Sequence, residues 1–184
     1  MKYSTIDFRK EANHELLSKM EREILKYEHL TILEVKEVKE LENMLEDFIF
    51  MQDEYGFFPL VVDDHIPNDC KYHYNRKPSY IALKLFMMNH NPNHEEVIQK
   101  ALNAVKLSKL LGHGYEFKSE QCNNLSMLLE ANILDYADNE LREIIASIIN
   151  EIRNDIQTNH TSFGYGNWEK EAKHLLEVVC KTNL

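Results

Sequence analysis

The sequence predicts an all-α protein, and three observations carry that expectation. Apolar residues recur at helical spacing along most of the chain. No segment alternates apolar and polar residues as a strand would; Leu60 to Val62 is β-branched in part but too brief. The five glycines all lie in three short aromatic loops, each between two amphipathic stretches. About seven helices fit the pattern, an N-terminal helix followed by three helical hairpins, forming an open α/α array or an irregular bundle.

Phe8, Ala12, Leu16, Met20 and Ile24 define the first helix on a four-residue rhythm. Thr31 opens the second, with Glu34 three residues later as a capping box. Its apolar stripe is Val38, Leu41, Leu45, Phe48 and Ile49. A polar insert, residues 60–77, then reads as a long loop. Pro78 suits a first helical position, and Ser79 to Met88 is apolar nearly all round, so this helix should be the most buried. Asn93 with Glu96 suggests a second capping box before Val97, Ala101, Leu102 and Val105. Ser119 is the expected cap of a helix with Cys122, Leu125, Leu129 and Ile133 inward. Asp138 is the expected N-cap of the clearest stripe, Leu141, Ile144, Ile145, Ile148, Ile149, Ile152 and Ile156. Asn167 is the expected cap of the last helix, with Trp168, Ala172, Leu175, Leu176 and Val179 inward.

The 184 residues fit one domain, 1–184, with enough chain to bury a core. Hydrophobic residues make up 43% and charged residues 28%, a globular balance. The formal net charge of −10 repels phosphate backbones and anionic membrane surfaces. It accommodates basic proteins, cations and neutral ligands. Met1 to Lys10 holds no apolar core of a signal peptide, and no run approaches a membrane span, so a cytoplasmic protein is expected. The three cysteines are far apart and form no CxxC pair, which fits free thiols. Cys122 and Cys180 lie on inward stripes. His14, His29, His90, His94 and His174 read as surface or helix-edge residues.

The glycine loops centre on Gly56, Gly114 and Gly166, a spacing of roughly 50–60 residues that suggests degenerate helix–loop–helix repeats. In the first unit a helix ends at Gln52, an acidic residue and then Gly56 and Phe57 follow, and a second helix opens at Pro78-Ser79 with Ala82 behind. This order resembles the α/α-toroid repeat of terpenoid cyclases and protein prenyltransferases, with echoes in the other two units. The resemblance implies an arc of helical hairpins. A closed toroid needs about twice the hairpins this chain supplies, and the cyclases' aspartate-rich signatures are absent. No activity is therefore carried over.

Two constellations could carry chemistry. If the glycine loops share one end of the array, Tyr55, Phe58, His113, Tyr115, Glu116, Tyr165 and Trp168 would line a ligand-binding cleft. Aromatic faces beside carboxylates suit sugars, amines or peptide side chains. The competing reading is that these aromatics staple hairpins into the core. In the insert, Asp64, Asp69, Cys70 and His73 offer the donor types that bind zinc or a related divalent metal. The competing reading is a polar surface loop. No phosphate loop, dinucleotide fingerprint, zinc-protease or nucleophile-elbow motif occurs, and no basic stripe marks a nucleic-acid site.

The expected function is a protein- or peptide-interaction module, with a basic partner favoured by the charge. The alternative is a small enzyme or ligand-binding protein with its site at the aromatic glycine loops, metal-assisted or not. A homo-oligomer built through apolar hairpin edges is a third reading.

Overall fold

The computed structural model describes residues 22–31, 34, 41–52, 56–58, 68–107, 118–158 and 168–182, with the side chains of 68–76 and 107 outside that set. Among the described residues every regular element is helical. No described helix is long and apolar enough to cross a membrane. The chain divides into two compact units, Met1–Ala104 and Val105–Leu184.

In the first unit, residues 22–25 are helical, with Ile24 fully buried. The expected capping box is present. Thr31 donates its backbone N–H (2.8 Å) and its hydroxyl (2.7 Å) to Glu34 Oε2, and the Glu34 N–H returns to Thr31 Oγ1. Those donated hydrogens hold the Glu34 carboxyl below the usual carboxylate range. Helix α1 (Leu41–Met51) buries Leu41, Leu45, Phe48 and Met51 along one face. It packs on α2 (Asn68–Asn89).

Helix α2 departs from expectation at its start. It begins at Asn68, within the segment expected to be loop, and runs through Pro78. Proline fits the helical φ, but inside a helix it loses the N–H bond to the carbonyl four residues back and its ring crowds that carbonyl. The first helical position is the least costly place for it, not the only one. As expected, residues from Ser79 to Met88 are all buried, with Lys84 among them. The Lys84 ammonium reaches the Glu28 carbonyl at 2.7 Å, and Lys77 pairs with the Glu28 carboxylate at 2.8 Å.

After α2, His90 takes a left-handed φ of 51° and turns the chain. A 3-10 turn, Pro92–His94, then leads into α3 (Glu95–Leu107). The expected cap Asn93 lies inside that turn, and the turn itself is capped by Asn91, whose side chain accepts the Asn93 N–H at 3.0 Å. Pro92 decides this, because a residue before proline is driven into the extended region that an N-cap needs. Asn91 sits there, at φ −83° and ψ 118°.

In the second unit, α4 (Lys118–Glu130) contains Ser119 within its first turn instead of being capped by it. Cys122, Leu125 and Leu129 are buried as expected, and Gln121, Asn124, Ser126, Met127 and Leu128 are buried with them. The helix stops at Asn132, whose φ of 60° breaks it before the short α5 (Ile133–Tyr136). Helix α6 (Asn139–Gln157) starts where expected, with Asp138 Oδ1 accepting the Leu141 N–H at 2.9 Å. It buries Leu141, Ile145, Ile148, Ile149 and Ile152. Helix α7 (Trp168–Thr182) buries Trp168, Ala172, Leu175, Val178 and Val179. Among the described residues the most extensive pairing lies between α4 and α7, which a sequential hairpin does not anticipate; α6 also touches α7.

Candidate functional site

Two members of the expected aromatic cleft lie among the described side chains, and both are core. Phe58 has no exposed surface. Its ring stacks on Phe86 at 5.6 Å and meets Phe48 edge-on at 6.0 Å. Its N–H donates to Ser79 Oγ at 3.0 Å. Trp168 is 7% exposed and opens α7 among that helix's buried residues. Tyr55, His113, Tyr115, Glu116 and Tyr165 lie outside the described residues, as do Gly114 and Gly166. Of the metal candidates, Asp64 lies outside them too. Asp69, Cys70 and His73 fall on the backbone of α2, on a helix where a loop was expected; their side chains are not described. Among the described side chains no three His, Cys, Asp or Glu gather as metal ligands.

The glycine motif of the first unit has a packing explanation. Gly56 adopts a φ of +95°, and a Cβ built there would stand 2.0 Å from the Lys100 carbonyl oxygen. Only glycine lets the segment lie this close to α3. Gln52 completes the joint. Its amide Nε2 donates to the Gly56 carbonyl at 3.2 Å and to the Val97 carbonyl at 2.9 Å. Residues that carry the toroid resemblance thus dock the end of α1 onto α3 and feed Phe58 into the core.

Three clusters escaped the sequence reading. The first surrounds His94, which is 2% exposed and so is no helix-edge residue. Phe86 meets its ring edge-on at 5.0 Å. Its Nε2 lies 3.8 Å from Glu42 Oε1, and its Nδ1 has no hydrogen-bond partner among the described residues. Glu42 is occupied elsewhere, accepting the side-chain amides of Asn89 (2.7 Å) and Asn91 (2.5 Å). Burial pushes the imidazole below its ordinary value, against the pull of Glu42 and Glu46.

The second cluster is in the other unit. Lys118 Nζ binds Glu151 Oε1 at 2.9 Å and also Asp155 Oδ2, and Asp155 is itself buried. Burial lowers this ammonium's pKa, but its bonds to Asp155 and Glu151 prevail and hold it above the usual lysine range. One turn along α4, Cys122 is fully buried, and burial pushes its thiol up to about 12. Such a thiol is packing material and not a nucleophile at neutral pH. Cys180, expected inward, is exposed.

The third cluster is on the surface of α1. Glu42, Asn43, Glu46 and Phe50 are exposed along its outer face. Phe50 is 59% exposed and is the large hydrophobic side chain left in solvent among the described residues. Glu46 lies one turn before it, at i and i+4, so carboxylate and ring are neighbours on the helix surface. A ring beside a carboxylate can take a guanidinium or ammonium: the face by cation–π attraction, the oxygens by ion pairing. Helical periodicity sets this phenylalanine off the stripe that carries Phe48, on the opposite face of α1. Compared with protein-family models, with curated proteins and with solved structures, the chain matches none.

Proposed function

We propose that this protein is a helical interaction module whose outer α1 face receives a cationic, amphipathic segment of a partner protein. Phe50 is the anchor and Glu46 the countercharge. The observation that carries the reading is Phe50 itself: an aromatic residue at 59% exposure on a helix that buries Leu41, Leu45, Phe48 and Met51. A net charge of −10 supports the choice of a basic partner, because it speeds encounter with cations and discourages nucleic acid. The cleft alternative draws no support from Phe58 and Trp168, whose rings are committed to packing.

The probe is a panel of amphipathic helical peptides with Arg and Leu at helical spacing, set against scrambled and acidic versions and followed by fluorescence anisotropy. Phe50→Ala should weaken the Arg–Leu peptides at least about fivefold, an anchor loss on the order of 1 kcal/mol. Glu46→Gln should flatten the salt dependence. Glu177→Gln, at an exposed position of α7, should do neither. Equal binding by wild type and Phe50→Ala would show that the acidic field alone attracts such peptides and would remove α1 as the site.

A further inference from the structure

We propose that His94 is a proton-operated latch: while neutral it leaves Glu42 free to tie α1 to the α2–α3 turn through Asn89 and Asn91, and on taking a proton it draws Glu42 away and releases that tie. The proposal does not depend on which partner α1 serves.

The geometry sets two opposed demands on one carboxylate. Glu42 Oε1 holds the Asn91 amide at 2.5 Å, and Oε2 holds the Asn89 amide at 2.7 Å. The imidazole Nε2 stands off at 3.8 Å. A charge-assisted N–H···O bond closes to about 2.7–2.9 Å, so an imidazolium reaches full pairing only as ring and carboxylate close that gap, the carboxylate shifting toward it. That shift takes Oε1 away from Asn91 first. Both amide bonds are already assisted by the carboxylate's charge; what the imidazolium adds is a full charge on the donor as well.

The other ring nitrogen adds to this. Nδ1 is buried without a hydrogen-bond partner among the described residues. In the neutral ring it can be the bare acceptor, a modest cost. In the imidazolium it is an N–H donor with nothing to receive it, and an unmet buried donor costs more when charged. The ring must therefore turn, and its edge-on contact with Phe86 at 5.0 Å turns with it. The charged groups that reach the ring are Glu42 and Glu46, both of α1. From α2 come Phe86 and Asn89, and from the turn Asn91, all neutral. No described cation opposes protonation there, so burial is the force that keeps the ring neutral.

The linkage has a definite sign. The folded imidazole titrates below its unfolded value of about 6.5. The contribution of neutral His94 is fully present above that value. It falls as pH drops below it and is lost once pH has passed through the folded value.

The test uses the whole chain. The His94 ring resonances and the side-chain amide signals of Asn89 and Asn91 are followed by NMR through mildly acidic pH. The amides should move together with the His94 titration. In Glu42→Gln, which keeps an acceptor for the amides but lacks the charge, His94 should titrate at lower pH and the amides should stay still. Thermal melts at about pH 7.5 and about pH 5.5 supply the second readout. Wild type should lose a few degrees of Tm more than His94→Phe between these conditions. His94 titrating while Asn89 and Asn91 do not respond would overturn the latch. So would an equal acid loss in His94→Phe. Should that variant fail to fold, the Glu42→Gln titration decides alone.

Discussion

In the unit that ends at Ala104, a buried imidazole faces a carboxylate that two asparagines already hold, and burial keeps it neutral. In the unit that begins at Val105, a half-buried ammonium bonds two carboxylates directly and stays charged beyond the ordinary lysine range. Both bases are partly withdrawn from water, and both have two acidic neighbours. What separates them is the number of short bonds to carboxylate oxygen. Depth alone does not set the charge of a buried base; the commitments of its neighbours do. The two sites also respond to opposite ends of the pH scale. The raised Lys118 contributes fully below its unfolded value of about 10.4 and is lost only as pH climbs through its higher folded value. His94 is the group that changes in the mildly acidic range.

The same contrast runs through the packing. The first unit depends on single positions fitted to particular partners, and the second on apolar stripes edged by ion clusters at Lys118 and Lys106. The sharpest way to break that contrast is Gly56→Ala. Positive φ together with a carbonyl where the methyl would sit should cost at least about 3 kcal/mol in urea unfolding. A loss below about 1 kcal/mol would mean that the segment re-docks without strain and that the first unit is no more exacting than the second. Next comes Lys118→Met, which leaves Asp155 buried without its cation. The expected loss is about 2–3 kcal/mol, less than for a fully buried pair because Glu151 is exposed to solvent. It should be unchanged across near-neutral pH; a loss that varied there would contradict the sign given for Lys118. The smallest effect is Ser79→Ala, which orphans the Phe58 N–H inside the core. About 1–2 kcal/mol is expected from chemical denaturation. A neutral outcome would place a water or a second acceptor at that amide.

Much of the helical content is legible in the amino-acid sequence, and the reason is periodicity. Asp138 and the isoleucines behind it announce α6, and Thr31 with Glu34 announces the helix they cap, because both signals are local. Errors arise where the deciding partner is distant or non-periodic. Asn93 and Asn91 are both good caps, and the neighbouring proline selects between them. Residues 68–77 show no apolar stripe, so the first half of α2 reads as loop. Gly56 is visible as punctuation, but its reason is a carbonyl on Lys100, which no local pattern encodes. His94 looks like any histidine after a turn until Phe86 and Glu42 are seen around it. Phe50 is missed for the opposite cause. Its place off the apolar stripe of α1 is a local sign of exposure, but hydrophobicity by itself predicts burial and hides it.

Lys84 lies 2% exposed in the middle of the most buried helix stretch, with its amine on the Glu28 carbonyl. An amine so placed is shielded from acylating reagents while the chain is folded, and becomes reactive only when α2 leaves its surroundings. Pulsed acylation at this lysine therefore works as a clock for the opening of the first unit. The converse also holds: a chain acetylated there before folding would carry a bulky neutral amide into a slot shaped for a cation, so the modification would act as a brake on maturation instead of a signal on the finished protein.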